Sequence, residues 1–205
     1  PSPLSSEFLK QLHGVITWYS GTTGSRRGEY RVSDQRIRAF DAGGRPAGSL
    51  FEAAPPERVA PMIRDLVEWT TRVLETGEYH PLLVTASFVA QLHVIHPFRE
   101  GSGRLCRLIC TWMLIRSGYT YLPFVSLERI LEESRARYHR ALTLASGILT
   151  GDAAGMTDWT VFLLRSLTAQ KDELKRRITR ERRFENLPEL SGRLLGIARI
   201  EGRLT

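Results

Sequence analysis

Twelve consecutive residues, His96 to Arg107, hold most of the side chains in this chain whose types and spacing could do chemistry. They read His-Pro-Phe-Arg-Glu-Gly-Ser-Gly-Arg-Leu-Cys-Arg. The turn at Gly101-Ser102-Gly103 opens an apolar-periodic stretch, so we expect it at the start of a helix. Unpaired backbone N–H groups and the positive end of the helix dipole would then point at one spot, which favours an anion.

The charged residues around this turn suit a triphosphate. Arg104 and Arg107 are three apart and share a helix face, and guanidinium groups bind phosphate oxygens two at a time. Phosphates would repel Glu100 beside them unless a Mg²⁺ ion lay between. His96 titrates near neutrality and can take a proton from a hydroxyl. Each residue alone has a plain structural interpretation, such as a solvated arginine or a helix cap, but together they favour a nucleotide site.

The composition agrees with an anionic ligand. The chain has 205 residues and a formal net charge of +7, with 42% hydrophobic and 25% charged residues, as in ordinary globular proteins. No apolar run approaches the ~18 residues of a membrane span. Cys106 and Cys110 lie four apart on one predicted helix, which predicts buried, reduced thiols in a cytoplasmic setting. No partner ligands at metal spacing accompany them, so zinc is disfavoured.

Periodicity and turn residues predict an all-α, mainly helical single domain with one small β-hairpin. Turn residues between short apolar pieces predict the hairpin over residues 38–54. Pro81 suits the first turn of a helix that is apolar almost all round, which we expect in the middle of the bundle. The helices are predicted over residues 4–19, 55–76, 81–94, 104–116, 126–146 and 157–188.

The run from His96 to Arg107 resembles the signature of the Fic (filamentation induced by cAMP) family, His-Pro-Phe-x-Asp/Glu-Gly-Asn-Gly-Arg-x-x-Arg. Eleven of the twelve places fit, counting the three free positions. The resemblance extends over roughly residues 8–170. It includes Arg27-Gly28-Glu29-Tyr30-Arg31, similar to a Pro-Gly-x-Phe/Tyr-Arg element of the family, and the segment from Arg137 to Leu142. It implies a Fic-type helical bundle with a small hairpin flap.

The resemblance also implies a protein adenylyltransferase, which moves AMP from ATP to a hydroxyl side chain of a target protein. His96 would be the catalytic general base, and Glu100 would hold Mg²⁺. The flap at residues 38–54 would clamp the target backbone by strand addition. Tyr138 would lie near the adenine or be a core tyrosine, and the sequence leaves both open. The implied nucleotide-binding residues are Phe98, Arg99, Gly101, Ser102, Gly103, Arg104, Arg107 and Tyr138.

Ser102 departs from the family pattern, because it stands where the family has an asparagine whose amide helps hold the α-phosphate. Losing one transition-state donor can cost ~100-fold or more in rate. Three interpretations stay open. The chain is an active transferase that tolerates the change; it is a slower transferase, or one that uses another donor such as UTP or CDP-choline; or it is a nucleotide-binding regulatory module with little catalysis.

Residues 1–188 are expected to form the Fic core, and residues 189–205 a C-terminal segment that could begin a truncated winged-helix module. DNA contact is expected only if such a module follows, because the basic end of the last helix is more typical of a solvated face. The resemblance implies a homodimer and either an inhibitory, antitoxin-like partner or an inhibitory helix, Ser/Thr-x-x-x-Glu-Gly/Asn. Glu201-Gly202 fits its last two places, but Ile197 stands where Ser or Thr belongs.

Overall fold

The computed structural model describes residues 3–18, 27–40 and 45–185 and confirms a mainly helical chain with one small hairpin. The predicted C-terminal segment, residues 189–205, lies outside the described residues. Strands β1 and β2 lie between the first two helices in chain order. The described elements are α1 (Ser6–Thr17), β1 (Arg36–Phe40), β2 (Pro46–Glu52), α2 (Pro56–Thr76), α3 (Pro81–Ile95), α4 (Ser102–Arg116), α5 (Leu127–Glu133), α6 (Arg135–Ala145) and α7 (Gly155–Glu185).

The hairpin is antiparallel, and its base is tied to the end of α3. Arg36 pairs with Glu52 on the opposite strand. Bulges interrupt the ladder just before Arg38 and just after Ala39, two consecutive residues of β1. Just beyond the strands, the Ala54 N–H donates to the Val94 carbonyl at 3.4 Å. The hairpin therefore stands beside the loop that follows α3.

Helix α3 lies in the middle of the bundle, as its all-round apolar sequence predicts. Pro81 occupies its first turn, where a missing N–H costs nothing. Phe88 and Leu92 are fully buried. The indole N–H of Trp159 on α7 donates to the Ala86 carbonyl at 2.9 Å, so α7 packs directly on α3 and holds the central helix in place.

Helix α1 is confirmed, but its most deeply buried residues are not the apolar ones whose helical spacing predicts it, Phe8, Leu12, Val15 and Ile16. Leu9, His13 and Thr17 are buried, whereas Val15 is 68% exposed. The spacing of four residues places these three on one side of the helix. A histidine on that side faces the interior, where a polar group needs hydrogen-bond partners.

The prediction of a single helix over 126–146 was wrong, because the helix is interrupted at Ser134. Ser134 has φ −112° and ψ 20°, which is outside the helical region. Its N–H donates to the Leu131 carbonyl at 3.1 Å, a tightened bond that ends α5. The break produces two short helices that pack separately on α7.

Helix α7 begins at Gly155, two residues before the predicted start, and its basic end is an exposed, ion-paired face. Arg176 and Arg177 both bind Glu173, at 2.8 Å and 3.0 Å. Cys106 and Cys110 are free and buried, as predicted. None of the helices in the described ranges combines the length and apolarity needed to cross a membrane.

Candidate nucleotide site

His96 ends α3 in a strained backbone conformation. Its φ is 50° and its ψ is 65°, and no other non-glycine residue in the described ranges has a positive φ. Its N–H still donates to the Leu92 carbonyl at 3.1 Å, which closes the helix. A left-handed conformation costs a non-glycine residue about 1–2 kcal/mol. Such strain persists only where surrounding contacts impose it, often at functional sites.

The imidazole of His96 is held neutral. Its Nδ1 is buried, and the described part of the chain offers it no hydrogen-bond partner. Burial lowers the pKa of His96 to about 4, and the positive charge of Arg31 adds to this effect. At pH 7 the ring therefore carries no charge and can accept a proton.

The buried guanidinium of Arg31 holds the backbone at the start of the loop. The side chain is 4% exposed, and it donates to backbone carbonyl oxygens. Nε donates to His96 at 2.8 Å, Nη1 to Ser33 at 2.8 Å, and Nη2 to Ile95 at 3.1 Å and to Ala54; the Arg31 N–H donates to Pro97 at 2.9 Å.

Donors from three other directions hold the next carbonyls of the loop. They come from α1, from the residue before β1, and from the first turn of α4. The Ser102 hydroxyl donates to the Phe98 carbonyl at 2.9 Å, Gln35 Nε2 to Arg99 at 2.8 Å, and His13 Nε2 to Glu100 at 2.8 Å; the Leu105 N–H donates to Gly101 at 2.9 Å. Every carbonyl from His96 to Gly101 is therefore bound from within the protein.

Ser102 faces the loop and not a ligand. It is 1% exposed, and its hydroxyl accepts from the Phe98 N–H at 3.0 Å while donating to the Phe98 carbonyl. The hydroxyl thus has a structural task already. Contact with a phosphate would require it to give up at least one of these two bonds.

The amides that follow form the start of α4 as the sequence predicts. Gly101 is the N-cap, with φ 79° and no side-chain cap. Within the described ranges, no hydrogen-bond acceptor is found for the amides of Glu100 to Gly103. A Cβ on Gly101 would lie 3.1 Å from Thr17 Cγ2, so glycine is needed both for its φ and for the close approach of α1.

Arg104 and Arg107, in the first turns of α4, lie on the outer side of this turn. Arg104 is exposed and makes only a long contact, 3.4 Å from Nη1 to the Ile16 carbonyl. Arg107 donates from Nε to Glu128 on α5 at 2.9 Å. Its Nη1 lies 3.6 Å from where a Cβ of Gly103 would be. Arg107 therefore lies beside the amides of the turn.

A cavity of about 550 Å³ adjoins Arg107, and Tyr138 lines it. The tyrosine hydroxyl lies 3.1 Å from His93 Nε2, and its ring packs against Trp159 and Phe162. Tyr138 is half-buried. It is thus both a core residue and a wall of this cavity, so the two interpretations of its sequence position are compatible.

Two other expected site residues lie differently. The ring of Phe98 is fully buried and stacks on His13 at 3.8 Å between centroids, so its side chain does not face a ligand. Arg99 is exposed, and no contact of its guanidinium with the cavity is found among the described residues. The ring of Phe98 anchors the loop, whereas the side chain of Arg99 is exposed and does not line the cavity.

The residues around the turn fit Mg²⁺ only together with a nucleotide. No group of three or more His, Cys, Asp or Glu side chains suited to a metal is found in the described residues. Glu100, at the turn, is exposed. One carboxylate combined with phosphate oxygens and water is a usual way of binding Mg²⁺. The residues therefore fit an ion that arrives with a nucleotide, and they do not fit an ion held by the protein alone.

Comparison with known proteins places this geometry in a family. The family model described as Fic/DOC family matches residues 3–114, which is more than half of the chain. The chain belongs to the Fic/DOC family. The matched range runs from α1 to the last turn of α4, so it contains the whole loop and every donor to its carbonyls named above.

Relatives of this Fic chain include proteins named as adenylyltransferases. Protein adenylyltransferase fic-1 of Caenorhabditis elegans is 32% identical over 96 residues, 47% of this chain and 18% of that protein. Probable protein adenylyltransferase aq_aa38 of Aquifex aeolicus (strain VF5) is 25% identical over 122 residues, 60% of this chain and 34% of that protein. This chain thus spans about a third or less of the length of these curated relatives.

A solved structure shares the fold. The crystal structure of a Fic family protein from Desulfovibrio desulfuricans G20 matches with a TM-score of 0.63 and 22% identity, covering 90% of this chain and 49% of that one. At this identity the likeness shows the fold alone. The match extends beyond the family model, so the helices after α4 also belong to the shared architecture.

Sequence reasoning missed His13, Gln35 and Glu128 as residues of the site. His13 carried a usable signal, since a step of four from Leu9 to His13 and on to Thr17 places a polar residue on a buried face. Gln35 and Glu128 carried none, because their partners lie 64 and 21 positions away. Such pairings depend on how the helices pack.

Proposed function

We propose that this Fic domain transfers AMP from ATP to a hydroxyl group of a target protein. The observation that carries the proposal is the turn from Glu100 to Gly103. Its carbonyls point into the protein, its amides have no acceptor in the described part of the chain, and a neutral His96 stands on the same loop. The names of the relatives support the same reaction class.

In this reaction the triphosphate lies against the free amides at the start of α4. Arg104 and Arg107 bind the β- and γ-phosphates and stabilise the negative charge that develops on the leaving group. Glu100 would hold Mg²⁺ through a carboxylate oxygen. When bound, the ion neutralises charge on the phosphates. Tyr138 lines the neighbouring cavity, where it can border the nucleoside.

His96 accepts the proton from the attacking hydroxyl. The hydroxyl oxygen forms a bond to the α-phosphorus, and the bond between that phosphorus and the pyrophosphate oxygen breaks. Pyrophosphate leaves with the electron pair. An imidazole with a pKa near 4 is a weak base, but phosphates nearby favour its protonated form and raise its pKa. Nucleotide binding thus strengthens the base at the moment it is needed.

The hairpin presents the target. In the described part of the chain β1 and β2 pair only with each other, and a target segment would add a further strand to this hairpin. Gln35, which precedes β1, binds the Arg99 carbonyl directly. A target segment paired with the hairpin would be held at a fixed position relative to the loop, which aligns its hydroxyl with His96.

The experiment is transfer of label from ATP. Purified chain, Mg²⁺ and lysate are incubated with ATP labelled at the α-phosphate, and in parallel at the γ-phosphate. The proposal expects α-label on a protein band and no γ-label, and loss of the band with His96→Ala. Label from the γ-phosphate alone would instead indicate phosphoryl transfer. A panel with UTP and CDP-choline identifies the donor.

A second candidate function is nucleotide binding with little turnover, and the position of Ser102 favours it. The hydroxyl is engaged by the Phe98 backbone, so no side chain at this position reaches the α-phosphate. Calorimetry that finds ATP binding, together with no α-label, would select this function. Ser102→Asn would then test whether an amide restores transfer.

A further inference from the structure

The carbonyl of Glu100 is the point where α1 meets the phosphate-binding turn. His13 Nε2 lies 2.8 Å from this oxygen, although 87 residues separate the two in sequence. The ring of His13 is buried, and it stacks on Phe98 with an interplanar angle of 5°. A Cβ on Gly101 would lie 3.4 Å from the same Nε2. Thus α1 contacts the turn at both residues of the peptide that joins Glu100 to Gly101.

The partners of His13 fix its tautomer. The Gly28 N–H donates to Nδ1 at 3.0 Å, so Nδ1 is the unprotonated nitrogen. In a neutral ring the proton then resides on Nε2, which must donate to Glu100. The histidine acts as a rigid link between two backbone groups, and a side chain without both functions cannot reproduce it.

The direction of the Glu100 carbonyl determines the direction of the next amide. In a planar trans peptide the C=O of one residue and the N–H of the next point to opposite sides. Since His13 draws the Glu100 oxygen toward α1, the Gly101 N–H faces away from α1. Gln35 has the same effect one residue earlier, on the Glu100 N–H. The amides are thereby turned outward before any ligand arrives.

We propose that His13 is a positioning residue for nucleotide binding, acting through the Glu100 carbonyl to aim the Gly101 amide at a phosphate. This inference rests on the proposed function. It assigns to α1 a part in the site that the motif itself does not contain. It also separates two tasks of His13, the stacking that supports the fold and the hydrogen bond that supports the ligand.

Two variants separate these tasks. His13→Phe keeps a ring to stack on Phe98 but removes the donor. His13→Gln retains an amide N–H that can reach the Glu100 carbonyl but loses the stack. His80→Gln is the matched control, because His80 is an exposed residue at the opposite end of α3 from His96. Each folded protein is titrated with Mg²⁺ and a non-hydrolysable ATP analogue by calorimetry, and its Tm is measured.

His13→Phe is expected to weaken binding about tenfold, the equivalent of one lost hydrogen bond, while His13→Gln stays within about threefold of the parent. Both variants are expected to lower the Tm, because the phenylalanine leaves the Glu100 carbonyl and the Gly28 N–H without partners, and the glutamine loses the stack on Phe98. His80→Gln should match the parent in affinity. Where transfer is detected, the loss in His13→Phe should fall on KM for ATP more than on kcat.

Equal affinity of the parent and His13→Phe would overturn the inference, as would equal losses of affinity in the two variants. Failure of the parent itself to bind the analogue would instead refute the proposed function. If His13→Phe does not fold, the inference depends on His13→Gln, and loss of its binding with a retained fold would count against the hydrogen bond as the determinant.

Discussion

The two halves of the motif are held in different ways. In the first half, His96 to Ser102, each of the first six carbonyls accepts a hydrogen bond from within the protein. Three of the residues that anchor this half, His13, Arg31 and Ser102, are buried. From Gly103 to Arg107 the functional side chains are exposed or partly so, and each has one or two weak or solvent-facing contacts. The first half is a rigid frame for a ligand, whereas the second half can adjust its side chains when a ligand binds.

Because of this difference, variants in the two halves should change different quantities, the free energy of unfolding and the affinity for nucleotide. A change in Arg31 or Ser102 should chiefly reduce the free energy of unfolding, whereas a change in Arg107 should reduce affinity with the fold intact. A polar group buried without a partner costs far more than an exposed ion pair gains. The comparison is broken if the two kinds of variant behave alike.

The largest effect is expected for Arg31→Met. The variant leaves buried carbonyls of Ile95, His96 and Ala54 without their donor, and each unsatisfied group costs about 1–3 kcal/mol. We expect a loss of about 3–5 kcal/mol in the free energy of unfolding, measured by urea denaturation. Arg104→Met is the exposed control, with a change within about 0.5 kcal/mol. A loss below 1 kcal/mol for Arg31→Met would contradict a rigid frame.

Arg107→Ala should show the opposite behaviour. Charge-assisted hydrogen bonds to phosphate contribute about 1.5–3 kcal/mol, so affinity for an ATP analogue should fall by roughly tenfold or more. The free energy of unfolding should change little, since the contact with Glu128 is solvent-facing. Calorimetry and urea denaturation on the same samples check both. An unchanged affinity would remove Arg107 from the site.

Ser102→Ala tests which half Ser102 belongs to. Because its hydroxyl holds both backbone groups of Phe98, the variant is expected to lose about 1–2 kcal/mol of stability. Binding of the ATP analogue should stay within about threefold of the parent. The reverse result, intact stability with a large loss of affinity, would place the hydroxyl on a phosphate.

The pKa of His96 should depend on the ligand. Burial holds the pKa near 4 in the free protein, so the ring is neutral at pH 7. A bound triphosphate favours the imidazolium, so the pKa should rise by about one unit or more. Histidine ring signals titrated by NMR with and without analogue measure this, and His96→Ala assigns the signal. A pKa that stays or falls on binding would argue against phosphates near His96.

Glu128→Gln should give the smallest effect. Glu128 places a negative charge 2.9 Å from Arg107 Nε, close to where phosphates are proposed. Removing that charge while keeping an oxygen acceptor is expected to tighten nucleotide binding about two- to fivefold, in line with exposed ion pairs. Weaker binding would mean that the carboxylate is needed to orient Arg107.

The sequence predicted the elements well where one helix face or one turn decided them. Pro81, Gly101 and the hairpin residues act through local geometry, so their elements were found at nearly the right bounds. The break at Ser134 was not predictable in this way, because serine is compatible with a helix interior and the apolar spacing continues across it. The two helices on either side of the break both pack on α7.

The site was predictable in part. The residues that would face a ligand lie in one run and could be read together. The residues that orient the loop come from α1 and from the segment before β1, and hydrogen bonds to main-chain carbonyls leave no pattern in a single sequence. Ser102 illustrates the limit. Its residue type suggested a phosphate donor, whereas its burial makes it part of the frame.

The most direct test of the account is a crystal structure of the chain with Mg²⁺ and a non-hydrolysable ATP analogue. The account predicts phosphate density within hydrogen-bond distance of the amides at Gly101 to Gly103, with Arg107 turned onto it and His96 on the same side. Density elsewhere would contradict it, for example in the cavity of about 340 Å³ that Arg137, Arg140 and Arg165 line beside α7, with the turn left bare.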